Sequence, residues 1–343
     1  MVRTTSGPGY MVRRRPDSGE ETKKDGGLRA WVRDALVAVI IVGVVFGGIF
    51  AYTRVWPPLV VIESSSMQHG HAASAIGVID TGDLVLVQSS PARADIVTWV
   101  EGRVSGHSTY GDYGDVIVFR KPTDPDGGPP VIHRAILYLV PNTTVPGTYD
   151  IPDLEGFPSS EWEARGANWT RVVRAQALRD VTIHGMGYRR DLGITFNLTV
   201  LAIRVSTRGE PGYVTMGDNN AYDQCLSPDP CGPSTPYDAG WVVPQTYVIG
   251  RARGEIPWFG LIKLTVSPTD SCCQGWGDTK VPSNSWDSLA ISLIALVSLP
   301  FALEGVGLLW RRILGPRLRP GPAAAEPAGD GEDSGPRSGS SEP

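Results

Sequence analysis

An apolar run ends in three hydroxyls and a methionine at Leu59-Val60-Val61-Ile62-Glu63-Ser64-Ser65-Ser66-Met67. A hydroxyl becomes a nucleophile near neutral pH only when a base takes its proton, so the bases elsewhere decide whether the triplet has chemical meaning. Five histidines exist: His69, His71, His107, His133 and His184. His133 stands apart, because Pro130-Val131-Ile132-His133-Arg134-Ala135-Ile136 reads as an apolar strand in which an imidazole is costly without a partner. Taken alone, a strand histidine is most simply a satisfied core residue. The third element is Val214-Thr215-Met216-Gly217-Asp218-Asn219-Asn220-Ala221-Tyr222-Asp223, which reads as a turn after a short strand and supplies carboxylates. Hydroxyl, imidazole and carboxylate are the parts of a hydrolytic relay. Lysine, the other common base, is scarce: Lys23, Lys24, Lys121, Lys263 and Lys280 are all there are. His69 and His71 stand at i, i+2 and could ligate a metal, but two loop histidines read more simply as solvated, and no metal site is expected.

The 343 residues suffice for one large domain or two ordinary ones. The net charge of -5 is spread along the chain, so a nucleic-acid backbone has no basic block to bind. Two stretches decide where the chain lives. Residues 35–52, ALVAVIIVGVVFGGIFAY, carry no formal charge and are long enough to cross roughly 30 Å of hydrocarbon as a helix. Eight Lys or Arg precede them, which predicts a cytoplasmic N-terminus and an exported chain beyond. A cleaved signal peptide is the competing reading, with a shorter apolar core. Residues 288–310 form the second candidate span, followed at once by Arg311 and Arg312; Pro300 and Glu304 interrupt it, and an interfacial amphipathic helix is its alternative. Trp31, Trp56, Trp286 and Trp310 bracket both stretches, as expected of an interfacial aromatic belt.

The expected organisation is therefore a disordered cytoplasmic segment over 1–34, a transmembrane helix over 35–53, an extracytoplasmic β-rich domain over 54–286, a second transmembrane helix over 287–310 and a disordered cytoplasmic tail over 311–343. Strand-like runs occur at 59–63, 83–88, 95–100, 115–119, 131–140, 194–205 and 247–256, separated by Gly, Pro and Asp. Residues 141–212 interrupt this pattern and read as an inserted subdomain, with a short helix over 160–179. Asn142, Asn168 and Asn197 begin glycosylation sequons, all on the side the charge bias makes external. Cys225 and Cys231 could close a disulfide loop. Cys272 and Cys273 bridge to that pair or stay free. No cofactor is implied.

In this order and on this topology, the elements resemble the type I signal peptidase family in its archaeal and endoplasmic-reticulum form. Ser64-Ser65-Ser66-Met67 with Thr81-Gly82-Asp83-Leu84-Val85 is similar to the family's nucleophile block and next strand. Gly114-Asp115-Val116-Ile117-Val118-Phe119 followed by Val131-Ile132-His133-Arg134 resembles the base block, Gly217-Asp218-Asn219-Asn220 with Asp223 the acidic block, and Gly250-Arg251-Ala252-Arg253-Gly254 with Ile256-Pro257-Trp258-Phe259-Gly260 the closing block. The bacterial branch has Lys immediately before the Arg of the base block. Here that place is His133, while Lys121 lies upstream and Lys263 and Lys280 follow the closing block.

The resemblance implies a mainly β fold of the signal-peptidase type, an antiparallel β catalytic domain between two transmembrane helices, and a membrane-bound serine endopeptidase that removes signal peptides at small-x-small sites. It makes Ser66 the nucleophile and His133 the general base, with Asp223 favoured over Asp218 as the acid that orients the imidazole. It gives the oxyanion the Ser66 amide and the Ser64 hydroxyl, while strand alternation turns Ser65 away. Secretory preproteins and the lipid bilayer are the implied partners, protein-export machinery a further one, and nucleic acid none. The chain departs from the family pattern where Gln68-His69-Gly70-His71 and a longer loop follow Met67, and where Met216 replaces a basic residue. Those departures keep two alternatives open: a non-catalytic, membrane-tethered surface protein of the same fold, and a relative specialised for one client preprotein.

Overall fold

The computed structural model describes residues 24–124, 126–204, 209–225 and 240–313. Helix α1 (Lys24–Thr53) leads into strands β1 (Leu59–Val61) and β2 (Leu84–Gln88). Helix α2 (Trp99–Ser105) and the small hairpin β3 (Ser108–Thr109) and β4 (Asp112–Tyr113) precede the central strands β5 (Val116–Phe119) and β6 (Val131–Pro141). The insertion contributes β7 (Tyr149–Asp150), β8 (Trp162–Gly166), β9 (Arg171–Val172), β10 (Leu178–Met186), β11 (Leu192–Asn197) and helix α3 (Leu198–Arg204). Strand β12 (Gly212–Met216), helix α4 (Asp218–Cys225), strands β13 (Val242–Pro244) and β14 (Val248–Ile256), and helices α5 (Gly260–Val266) and α6 (Ser285–Ile313) follow.

The protein is mainly antiparallel β sheet with two apolar helices near its ends. Among the described residues twelve strands join in the order β1-β2-β14-β5-β6-β7-β10-β8-β9, with β11 on β10, β12 on β6 and β13 on β12. Strand β6 connects the two halves: its first nine residues pair with β5 and β12, and its last two pair with β7 of the insertion. Alternation along β6 divides its side chains between two cores. Ile132 packs with Ile62, Met67, Val116 and Val118, whereas Ala135 packs with Ile117, Phe119 and Tyr213. The insertion has its own core around Trp162, Val181, Ile194 and Phe196, continuous with Trp99 of α2 and Leu137 of β6.

Both end helices are long and apolar enough to cross a membrane, over Arg29–Thr53 (mean hydropathy 2.6) and Ser285–Trp310 (2.1). At 1.5 Å per residue each exceeds roughly 30 Å of hydrocarbon. Their apolar side chains are exposed, which distinguishes them from core helices of a soluble protein. Helix α1 starts before the apolar run, at Lys24, and passes through Gly26 and Gly27, which are poor helix formers, before Leu28, Arg29 and Ala30, which are good ones. The chain forms two compact units, 1–289 and 290–343, the second holding most of α6. Trp31, Trp56 and Trp310 are exposed, but Trp286 is only 4% exposed and packs on Trp276 at 4.9 Å, so it belongs to the domain rather than to an interfacial belt.

Several local expectations need correction. Residues 95–100 were expected as strand, yet Thr98 caps α2: its hydroxyl accepts from the Glu101 amide while the Glu101 carboxylate accepts from the Thr98 amide. The helix expected over 160–179 is instead β8, β9 and the start of β10; Trp162, Ala164 and Gly166 are buried while Glu163 and Arg165 are exposed, a period of two. The strand expected over 194–205 ends at Asn197, whose carboxamide oxygen accepts from Thr199 Oγ1 and the Val200 amide and so starts α3. Cys272 and Cys273 are joined to each other rather than bridged to the first pair or left free. The expected Cys225–Cys231 loop and most of the segments 1–34 and 311–343 lie outside the described residues.

Candidate active site

His133 is positioned by the middle of the sheet. It lies opposite Ile117 of β5, is 6% exposed, and meets the Phe119 ring edge to face at 6.4 Å. On its other side β12 runs antiparallel, with Thr215 opposite Ala135 and Met216 opposite Arg134. Strand β12 ends at Met216, one residue before Gly217. A bulge lies two residues away, since Val214 pairs with Leu137 but Thr215 with Ala135; such a bulge re-aims nearby side chains.

Ser66 reaches the same place from β1. The segment leaves the strand after Val61 and turns at 65–68, where the Gln68 amide donates to the Ser65 carbonyl at 3.1 Å. Met67, 1% exposed, anchors the turn in the core, and the buried Gln68 carboxamide accepts from the Thr81 amide at 3.2 Å. The Ser66 carbonyl accepts from the Asn219 amide at 2.9 Å. Only a glycine fits at 217: a Cβ there would stand 2.5 Å from the Ser66 carbonyl oxygen and 3.1 Å from Ser66 Cβ. Ser64 Oγ donates to Ser66 Oγ at 3.3 Å. Because this segment is a turn and not an extended strand, Ser65 also lines the cleft instead of facing away as alternation predicts.

Ser64, Ser66 and His133 share a cleft of about 690 Å³ between Leu59–Ile62 on one wall and Pro129–His133 on the other, with Asn220 and Trp241 at its side. Lys121 and Lys263 also line it, although their sequence positions gave no hint of that. Lys263 Nζ donates to Glu63 Oε1 at 2.6 Å.

The acidic block is the start of a helix and not a hairpin turn. Asp218 is 4% exposed and is bound by Arg134 through Nε at 2.8 Å and Nη2 at 2.6 Å, and by His69 Nε2 at 3.0 Å. Burial alone raises the Asp218 carboxyl, but the Arg134 charge, its hydrogen bonds and His69 outweigh it and hold the group below the usual carboxylate range. Arg134 is fully buried on the opposite face of β6 from His133. Its Nη1 donates to the carbonyls of Thr109 and Tyr113 at 3.0 and 3.1 Å. Asp223 lies on the exposed side of α4, three positions after Asn220 and so on the same helical face, and accepts from Asn219 Nδ2 at 3.0 Å.

His69, expected as a solvated loop residue, is instead partly buried, bound to Asp218 and stacked on Tyr188 at 4.0 Å. His71 is exposed. Nothing in the spacing of His69 signals this, because its partners lie 119 and 149 positions away in sequence. A second polar group stands just before β2, at Asp83, which the sequence marked only as leading into a strand. Asp83 accepts from the amides of Asp80 and Trp258, and burial pushes its carboxyl up to about 7, with Asp80 and Glu255 nearby adding to the rise. As metal ligands, Cys272, Cys273 and Asp278 bring three donor atoms within 4.8 Å of one another, but the two sulfurs are bonded to each other and so are not thiolates.

No model of a known protein family matches the chain. No curated protein matches it either.

Proposed function

We propose that this protein is a membrane-anchored serine endopeptidase of the signal-peptidase kind, which cuts signal peptides from translocated preproteins. The observation that carries the reading is the single cleft lined by both Ser66 and His133, with Gly217 as the small residue against which the Ser66 backbone rests. In the proposed reaction, His133 takes the Ser66 hydroxyl proton as Oγ attacks the scissile carbonyl, then gives that proton to the leaving amine. Water, deprotonated by the same imidazole, hydrolyses the acyl-enzyme and frees Ser66. The Ser66 amide and the Ser64 hydroxyl receive the oxyanion charge. Asp223 is assigned the role of orienting His133. Asp218 is assigned a structural one, as the counter-ion of buried Arg134.

The substrate enters as an extended strand between β1 and the start of β6, main-chain hydrogen bonds giving affinity and shallow pockets selecting small side chains. Among the described residues β1 pairs on one side only, with β2, which leaves its other edge for such a strand. The short link from Thr53 to β1 favours a cleft near the membrane surface, on the side opposite the N-terminal Lys and Arg. In this reading the second apolar helix returns the chain to the cytoplasm.

A second reading, a tethered protein without turnover, is favoured by one observation: Asp223 is exposed while Asp218 is engaged by Arg134 and His69. Full-length protein in liposomes, incubated with a preprotein bearing an Ala-x-Ala site, separates the two. Ser66→Ala and His133→Ala are expected to abolish processing while Ser65→Ala is far milder. Processing by the Ser66 variant refutes the assignment.

A further inference from the structure

The insertion reaches back to the segment that carries Ser66. The turn between β10 and β11 places Tyr188 flat on His69, with ring centroids 4.0 Å apart and planes inclined by 10°. Gly111 also lies against His69: a Cβ there would stand 2.8 Å from the imidazole Cε1. With Nε2 on Asp218 at 3.0 Å, the ring is fixed in both position and rotation.

The same turn grips α4. The Tyr222 hydroxyl accepts from the Arg189 amide at 2.8 Å and donates to Asp191 at 2.9 Å, and the Arg189 guanidinium covers its ring at 3.9 Å. Gly187 has a φ of +78, and a Cβ there would stand 2.6 Å from that hydroxyl, so the approach needs glycine on both counts. Arg190 adds a third anchor through Asp112 and the Tyr113 ring, whose centroid is 4.0 Å away. One turn of the insertion thus holds both the nucleophile segment, three residues past Ser66, and the helix whose Asn219 amide binds the Ser66 carbonyl.

We propose that the β10–β11 turn acts through Tyr188 and His69 as a latch that positions Ser66 against His133, making both of them positioning residues for the proposed hydrolysis. The proposal rests on reading Ser66 as the nucleophile. Neither Tyr188 nor His69 lines the cleft, so their loss is expected to act on the placement of the reacting hydroxyl rather than on substrate binding. A misplacement on the order of 1 Å costs about 100-fold in rate.

The test compares Tyr188→Ala, Tyr188→Phe, His69→Ala and His69→Gln in the full-length protein, with kcat and KM measured on the Ala-x-Ala preprotein and Tm recorded for each. The expected result is a loss of about 10- to 100-fold in kcat for Tyr188→Ala and His69→Ala, with KM within about twofold of wild type. Tyr188→Phe keeps the stacked ring and His69→Gln keeps a donor to Asp218, so both recover most of that kcat. The double Ala variant is no worse than the more impaired single one, because the two residues act as one unit. Wild-type kcat in either folded Ala variant, or a change in KM alone, overturns the latch. If Tyr188→Ala unfolds, the His69 pair decides by the same criteria. A Ser66→Ala protein that still processes the substrate overturns the underlying reading, whereas an inactive Ser66→Ala beside fully active His69→Ala overturns only the latch.

Discussion

Gly217 gives the sharpest perturbation of the proposed chemistry, because one methyl group added there acts on Ser66 without touching its side chain. A Cβ at 217 would stand 2.5 Å from the Ser66 carbonyl oxygen and 3.1 Å from both Ser66 Cβ and Asn220 Nδ2. Real Cβ contacts essentially never fall below 3.0 Å, so the Ser66 backbone must retreat by at least about 0.5 Å. That shift also stretches the 2.9 Å bond from the Asn219 amide. Because a 1 Å error in a reacting group costs about 100-fold, Gly217→Ala is expected to lower kcat/KM by about 10- to 100-fold, or about 1.4 to 2.7 kcal/mol of barrier. The assay is processing of an Ala-x-Ala preprotein by the full-length variant, with Tm measured on the same preparation. Gly70→Ala is the control: it lies four residues past Ser66, but a Cβ there meets nothing within 4 Å, so its activity is expected near wild type. A folded Gly217→Ala protein with wild-type kcat/KM refutes the reasoning, since Ser66 would then not depend on this approach.

Two further predictions concern the buried charges. Asp218→Asn removes one partner of a fully buried pair and is expected to cost about 3 to 5 kcal/mol of stability, read as a fall in the urea midpoint. Because the folded Asp218 carboxyl is held below its ordinary value of 3.8, its contribution is present above that pH and is lost as pH falls through the folded value, so the acid limb of the stability curve flattens in the variant. Asp83 has the opposite sign: raised from 3.8 to about 7, it favours folding below pH 4 and loses that contribution as pH rises through 7, a swing of about 4 kcal/mol. Relative to wild type, Asp83→Asn should therefore gain stability between pH 4 and pH 8; a constant difference across that range contradicts the burial account.

Much of the framework was legible because it depends on local pattern. Apolar length marked α1 and α6, and runs of β-branched residues marked β2, β5, β6 and β14. Where the sequence misled, a short polar signal outweighed an apolar run. Thr98 and Glu101 form a capping box inside a strand-like stretch, and Asn197 starts a helix in the middle of another. The serine, histidine and acidic blocks were visible by residue type, and the fold brings Ser66 and His133 to one cleft while directing Asp218 to Arg134. The role of Arg134 was hidden because the carboxylate it binds is 84 positions away. His69 was hidden for the same reason, with no local feature to distinguish it from exposed His71. Long-range contacts of this kind leave no trace in periodicity or spacing.

The central claim is that His133 makes Ser66, alone among three adjacent serines, reactive toward acyl groups. The most direct measurement is peptide mass mapping of the full-length protein after exposure to a serine-directed acylating probe. The account predicts a single adduct on Ser66 that survives Ser65→Ala and disappears in His133→Ala. Labelling of Ser64 or Ser65 instead, or equal labelling of Ser66 without His133, contradicts it.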